Sequence, residues 1–163
     1  MARGVNALRF DYAITVFILS LLPAFEPRYA VLIGLKIMGP FEAVTMALLA
    51  TLILSFVLSY AMPFIDSLAH TLAKSGNPFL SRAGSGYLRY VHRVRNRVKP
   101  YVSRYGFIGL VLFVAIPLPA TGIWTGALAA YILGIEKWRT AIALLLGGLI
   151  SMTITASLAL LVP

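Results

Sequence analysis

Residues 43–62 and 140–162 form runs of 20 and 23 positions without a charged side chain. A helix rises about 1.5 Å per residue, so about 20 apolar residues cross the hydrocarbon core of a bilayer. Each run therefore predicts a transmembrane helix. The rest of the chain cannot shield two such helices from water. Of its 163 residues 60% are apolar and 12% charged, against about 45–50% and about 25% in soluble domains. The expected class is an all-α integral protein of the cell membrane. Cysteine is absent, which excludes disulfides, thiolate metal sites and cysteine nucleophiles.

Two further apolar regions are interrupted. Residues 11–38 contain Pro23, Glu26, Pro27 and Arg28 near their centre, and residues 105–135, though uncharged, contain Pro117, Pro119 and Gly122. Proline lacks the backbone donor and clashes with the preceding turn, so a close pair should end a helix. The pieces left over, such as residues 106–116, reach about half-way across the core. Each region is read as a re-entrant hairpin, 11–38 and 106–135, with a proline-kinked full span as the alternative. Arg3 and Arg9 precede an apolar run as in a signal peptide. That run continues into residues 23–28 without a small-residue cleavage site, so it is expected in the folded chain.

A shift of 94 places Pro23 on Pro117 and Glu42 on Glu136, while Gly39 meets Gly134 after a one-residue slip. The chain thus reads as two repeats, 1–62 and 106–163, each a broken hairpin followed by a span (43–62 or 140–162). A hairpin returns to its own side and the span crosses, so the second repeat must be inverted, a recurrent transporter plan.

Between the repeats, residues 63–105 hold eight of the fourteen Lys and Arg residues and a single acid, Asp66. Leu88, Val91, Val94, Val98, Val102 and Tyr105 share one helical face, with Arg89, Arg93, Arg97 and Lys99 among the charges around it. A basic amphipathic helix kinked at Pro100 is expected, lying on anionic lipid headgroups, with a weaker one around Phe64, Ile65, Leu68 and Leu72 and a solvated loop at 75–86. Loop charge places this connector in the cytoplasm. With hairpins it shares its side with Lys137 and Arg139, ten charges against three, and the termini lie outside. With four spans the count is again ten against three, and the termini lie inside. Nucleic acid is not an expected partner, since no nucleic-acid fold fits.

Chemistry is expected at the breaks. A charge at bilayer depth costs about 2.5–3.5 kcal/mol or more, so Glu26 and Arg28 either pin a hairpin tip as an ion pair or form a substrate or coupling site. Glu26 can carry a proton, and the Arg28 fork suits phosphate or carboxylate. Thr121 is expected to cap the half-helix after the second break, and Trp124 to line the site. Two half-helix N-termini together with Arg28 favour an anion. Gly34 and Gly126 are expected at close helix contacts. His70 and His92 have no ligand-like neighbours in the sequence, and no catalytic grouping or phosphate-binding loop is found. No metal, cofactor or enzymatic activity is expected.

Pro23-x-x-Glu26-x-Arg28-x-x-x-x-x-Gly34 and Phe113-Val-Ala-Ile-Pro-Leu-Pro-x-Thr-Gly-x-Trp-x-Gly126 resemble the small multidrug export protein family, itself similar to the DedA/VTT superfamily. The resemblance covers nearly the whole chain. It implies two inverted repeats of hairpin and span, and transport of lipid carriers or phospholipids with proton or ion coupling. The expected function is a transporter or flippase for an anionic, lipid-linked substrate passing between the hairpin tips. The alternatives are export of small amphipathic or cationic drugs, and a non-transporting scaffold for anionic lipid or a partner protein. A homodimer would thicken the thin wall that so few elements make around a pathway.

Overall fold

A computed structural model describes residues 2–23, 25–119 and 121–161, with side chains undescribed at 2–10, 97–99, 101–104 and 160. The described residues are all helix and turn: α1 (Ala2–Leu21), α2 (Glu26–Ile37), α3 (Pro40–Ala73), α4 (Pro78–Ala115), α5 (Ile123–Ile132) and α6 (Lys137–Leu161). α2, α3 and α4 open with proline in the first turn, where the missing N–H would have no partner anyway. The chain breaks after α1 and again between α4 and α5, at the two proline clusters.

α3 and α6 are long and apolar enough to cross a bilayer. Their outer faces expose Leu48, Leu52, Ile53, Leu146, Ile150 and Ile154, the surface a helix presents to lipid tails rather than to water. The protein is a membrane protein. α5 is buried at Ile123 and from Thr125 to Ala130, against α3, α4 and α6. Its Ala127, Ala129 and Ala130 have no room for more, and a Cβ on Gly126 would collide with Val114 and Leu144. Gly34 gives α2 the same closeness to Ala43 and Val16. These are the packing contacts expected of the two glycines.

Three boundaries differ from expectation. The helix expected to stop at residue 62 runs through Pro63 to Ala73, absorbing the separate segment expected around Phe64–Leu72. Its extra turns are held by α4: a Cβ on Gly84 would strike the backbone of Ala69 and Ala73. Residues 78–86, expected in a solvated loop, are helical. The Asn77 side chain accepts from the Phe79 N–H at 2.9 Å, and Ser81 Oγ donates to the Ala73 carbonyl at 3.1 Å, which together cap the turn. The kink in α4 lies at Gly106, with φ 52° and ψ −124°, rather than at Pro100. Proline's fixed φ is compatible with a helix, whereas a positive φ is cheap only for glycine.

The basic arm of α4 also differs in what its apolar face meets. Val94 is buried, and Tyr87 and Val91 pack against the main core with Leu54, Leu58 and Leu128. That stretch of the face covers protein instead of lying on a leaflet. Arg89 and Arg93 remain exposed, and the side chains of Arg97 and Lys99 lie outside the described residues.

Candidate functional site

The two breaks meet. Glu26, the first residue of α2, has a φ of 51°, the one positive φ among described residues other than glycine. Its N–H donates to the Leu22 carbonyl at 2.9 Å, fixing the turn from which its side chain crosses to α5. There Oε2 accepts from the Ile123 N–H at 3.3 Å, and the Trp124 N–H also bonds the carboxylate. Glu26 is 4% exposed and Arg28 5%. The Arg28 Nε lies 3.4 Å from the same oxygen, longer than the roughly 2.7–2.9 Å of a charged hydrogen bond. It is an ionic contact, and neither Nε nor Nη1 has a hydrogen-bond partner among the described residues. The guanidinium also stands 4.8 Å from the centre of the Tyr29 ring.

Gly122 makes the meeting possible. A Cβ there would land on the Glu26 carboxyl group, so this glycine is a docking surface as much as a helix breaker. Thr121 does not cap α5 as expected. Its single O–H is shared between the Ile116 and Leu118 carbonyls, 2.6 and 2.8 Å away, and its oxygen accepts from the Leu118 N–H at 3.2 Å. Thr121 therefore closes the end of α4, and the cap of α5 comes from Glu26. The expectation of a free α5 N-terminus waiting for an anion is corrected accordingly: the chain's own carboxylate holds the positive end of that dipole.

Beside the pair lies a cavity of about 540 Å³ bordered by Pro23, Glu26, Arg28, Met62, Ile65, Tyr87, Tyr90, Pro119, Trp124, Thr125 and Leu128. Trp124 lines it, as read from the sequence. Pro27 and Pro117 do not border it; Pro27 is buried at the start of α2. Tyr90 and Thr125 join α4 to α5 through their hydroxyls, 2.8 Å apart. Tyr87 Oη and Trp124 Nε1 are buried without a partner among the described residues. Burial, with Asp66 adding to it, pushes the Tyr87 hydroxyl up to about 12, so it stays protonated at physiological pH. The sequence reading missed both tyrosines. Their helical spacing with Val91 and Val94 was available as a signal, but a basic helix suggested lipid on the far side of that face.

Residues 26–154 match the profile of a family described as "Putative small multi-drug export protein", and the match begins at the carboxylate that joins the two breaks. Searches of curated proteins and of solved structures found no match.

Proposed function

The chain belongs to the putative small multi-drug export protein family, and from that premise we propose that it carries amphipathic compounds with an anionic, acceptor-rich head across the membrane. One observation carries the choice of substrate: Arg28, Trp124 and Tyr87 border one cavity, and their Nη1, Nε1 and Oη atoms are buried without a partner among the described residues. An unmet buried donor costs about 1–3 kcal/mol, which a phosphate, sulfonate or carboxylate head would recover. Within that class we propose a lipid-linked member. In this reading the breaks are re-entrant tips, the two halves are inverted repeats, and the end of the molecule bearing Arg82, Arg89 and Arg93 faces the cytoplasm.

Glu26 supplies the coupling. Ionised, it occupies the Ile123 N–H and attracts Arg28. Protonated, it loosens both, and Arg28 turns to the substrate head. Proton and anion thus bind together and leave together. A second reading rests on the aromatic wall: Tyr87, Tyr90 and Trp124 beside a carboxylate suit an amphipathic cation, which would compete with the proton for Glu26.

Vesicles of phosphatidylcholine containing the protein separate these readings. Labelled phosphatidylglycerol tests a lipid substrate, anilinonaphthalene sulfonate a free anion, and a quaternary ammonium dye a cation. The anion reading expects Arg28→Ala to abolish lipid or sulfonate movement, with protons moving alongside the anion. Unchanged anion movement in Arg28→Ala would overturn it. Exchange of dye cation against protons, abolished in Glu26→Gln, would establish the second reading instead.

A further inference from the structure

On its other side the Glu26–Arg28 pair borders a second and far smaller space. It measures about 10 Å³ and is walled by Val114 of α4, Ile123 of α5, and Gly148 and Ser151 of α6. Ser151 is 1% exposed, and its Oγ has no hydrogen-bond partner among the described residues. That sets it apart from the other span hydroxyls. Thr51, Ser55, Ser59, Thr153 and Thr155 each donate to the carbonyl four residues back, the default for a hydroxyl in an apolar helix. Ser151 is instead left beside a space whose other polar walls are Arg28 and Glu26.

The size and the lining select the occupant. About 10–15 Å³ of probe volume is what one water requires, together with two to four polar partners. Ser151 Oγ and Arg28 Nε offer donors, and the Glu26 carboxylate an acceptor. A cation would face Arg28 and an anion would face Glu26, whereas a molecule that both donates and accepts satisfies both. We infer that this space binds one water, fixed by Ser151 and Arg28, and that Glu26 exchanges its proton with the α6 side of the protein through it.

The transfer balances with no hydronium left beside Arg28. As the Glu26 O–H bond breaks, the water takes that proton and gives one of its own to Ser151 Oγ, which passes its proton to a solvent water. Carboxylic acid plus solvent water becomes carboxylate plus hydronium, with the bound water and Ser151 restored. Among the described residues the ionisable groups around Glu26 are Arg28 from α2 and, across the larger cavity, Tyr87 and Tyr90 from α4. The α3, α5 and α6 residues lining the two spaces contribute none. Substrate and proton thereby reach the pair from opposite faces.

The inference rests on the proton-coupled reading proposed above, and its test keeps the two apart. In phosphatidylcholine vesicles, Ser151→Ala is expected to lower pH-gradient-driven accumulation of anilinonaphthalene sulfonate about tenfold, roughly the worth of one hydrogen bond. Ser151→Thr restores accumulation. If Glu26→Gln accumulates dye as the wild type does, the coupled reading fails. If Glu26→Gln abolishes accumulation while Ser151→Ala leaves it intact, the water route alone is overturned. A transport-free measurement covers a variant that folds badly. Infrared spectra in D₂O follow deuteration of the acid O–H band that Glu26→Gln removes. Ser151→Cys, which keeps the volume but bonds weakly, should slow deuteration about tenfold, and an unchanged rate refutes the water.

Discussion

The carboxylate of Glu26 caps the backbone of α5 at Ile123, 97 residues further along the chain. A helix cap is ordinarily local, supplied by the residue just before the helix. Here one half of the molecule completes a helix that belongs to the other, so the two broken segments meet at one point. The capping group is also an acid, and a change in its charge is felt at once by both halves.

Gly122→Ala tests that joint directly. The added Cβ falls on the Glu26 carboxyl and must expel it from the α5 N-terminus. Losing a hydrogen bond to a charged group costs about 1.5–3 kcal/mol, which lowers the melting temperature by about 2–4 °C per kcal/mol for a chain of this size. Thermal unfolding followed by intrinsic fluorescence measures the drop. Melting at the wild-type temperature would show that the cap contributes nothing.

Thr121→Val removes the hydroxyl that closes α4 without touching the α5 cap. It leaves the Ile116 and Leu118 carbonyls short of a donor, at about 1–3 kcal/mol. Thr121→Ser should recover most of this. The response of transport to a pH gradient should survive in Thr121→Val and vanish in Gly122→Ala. Parallel behaviour of the two variants would return Thr121 to the role of α5 cap.

Gly84 and Gly86 lie two positions apart in α4 and should respond in opposite directions. A Cβ at Gly84 strikes the α3 backbone, and at Gly86 it meets nothing within 4 Å. Gly84→Ala should cost about 1–3 kcal/mol or more by overpacking. Gly86→Ala should gain up to about 1 kcal/mol from helix propensity. Chemical denaturation of the purified protein in detergent reads both, and equal effects would contradict the α3–α4 contact.

The sequence disclosed what is written in runs and periods. Long uncharged stretches mark α3 and α6, and the proline clusters mark the two breaks. The helix from Pro78 was hidden because Ser81, Gly84, Ser85 and Gly86 carry the composition of a loop. Only the approach of α3 explains a glycine at 84. Glu26 and Arg28 were legible as a site because charge in an apolar run is expensive. The cap was not, since Thr121 occupies the position local rules would choose, and the true partner lies in the other half of the chain. Ser151 gave no signal, for a serine in a span ordinarily bonds its own helix.

The φ of 51° at Glu26 bears on how this protein can change. A left-handed backbone there costs any L-residue with a side chain, and glycine escapes that cost. Glu26→Gly should therefore melt above Glu26→Ala, by an amount equivalent to about 1 kcal/mol, although both have lost the carboxylate. Melting of Glu26→Gly at or below Glu26→Ala would show that the joint is unstrained. Strain and cap thus oppose each other at one residue: the left-handed backbone costs about 1 kcal/mol, and the hydrogen bond that the same residue gives α5 returns about 1.5–3 kcal/mol.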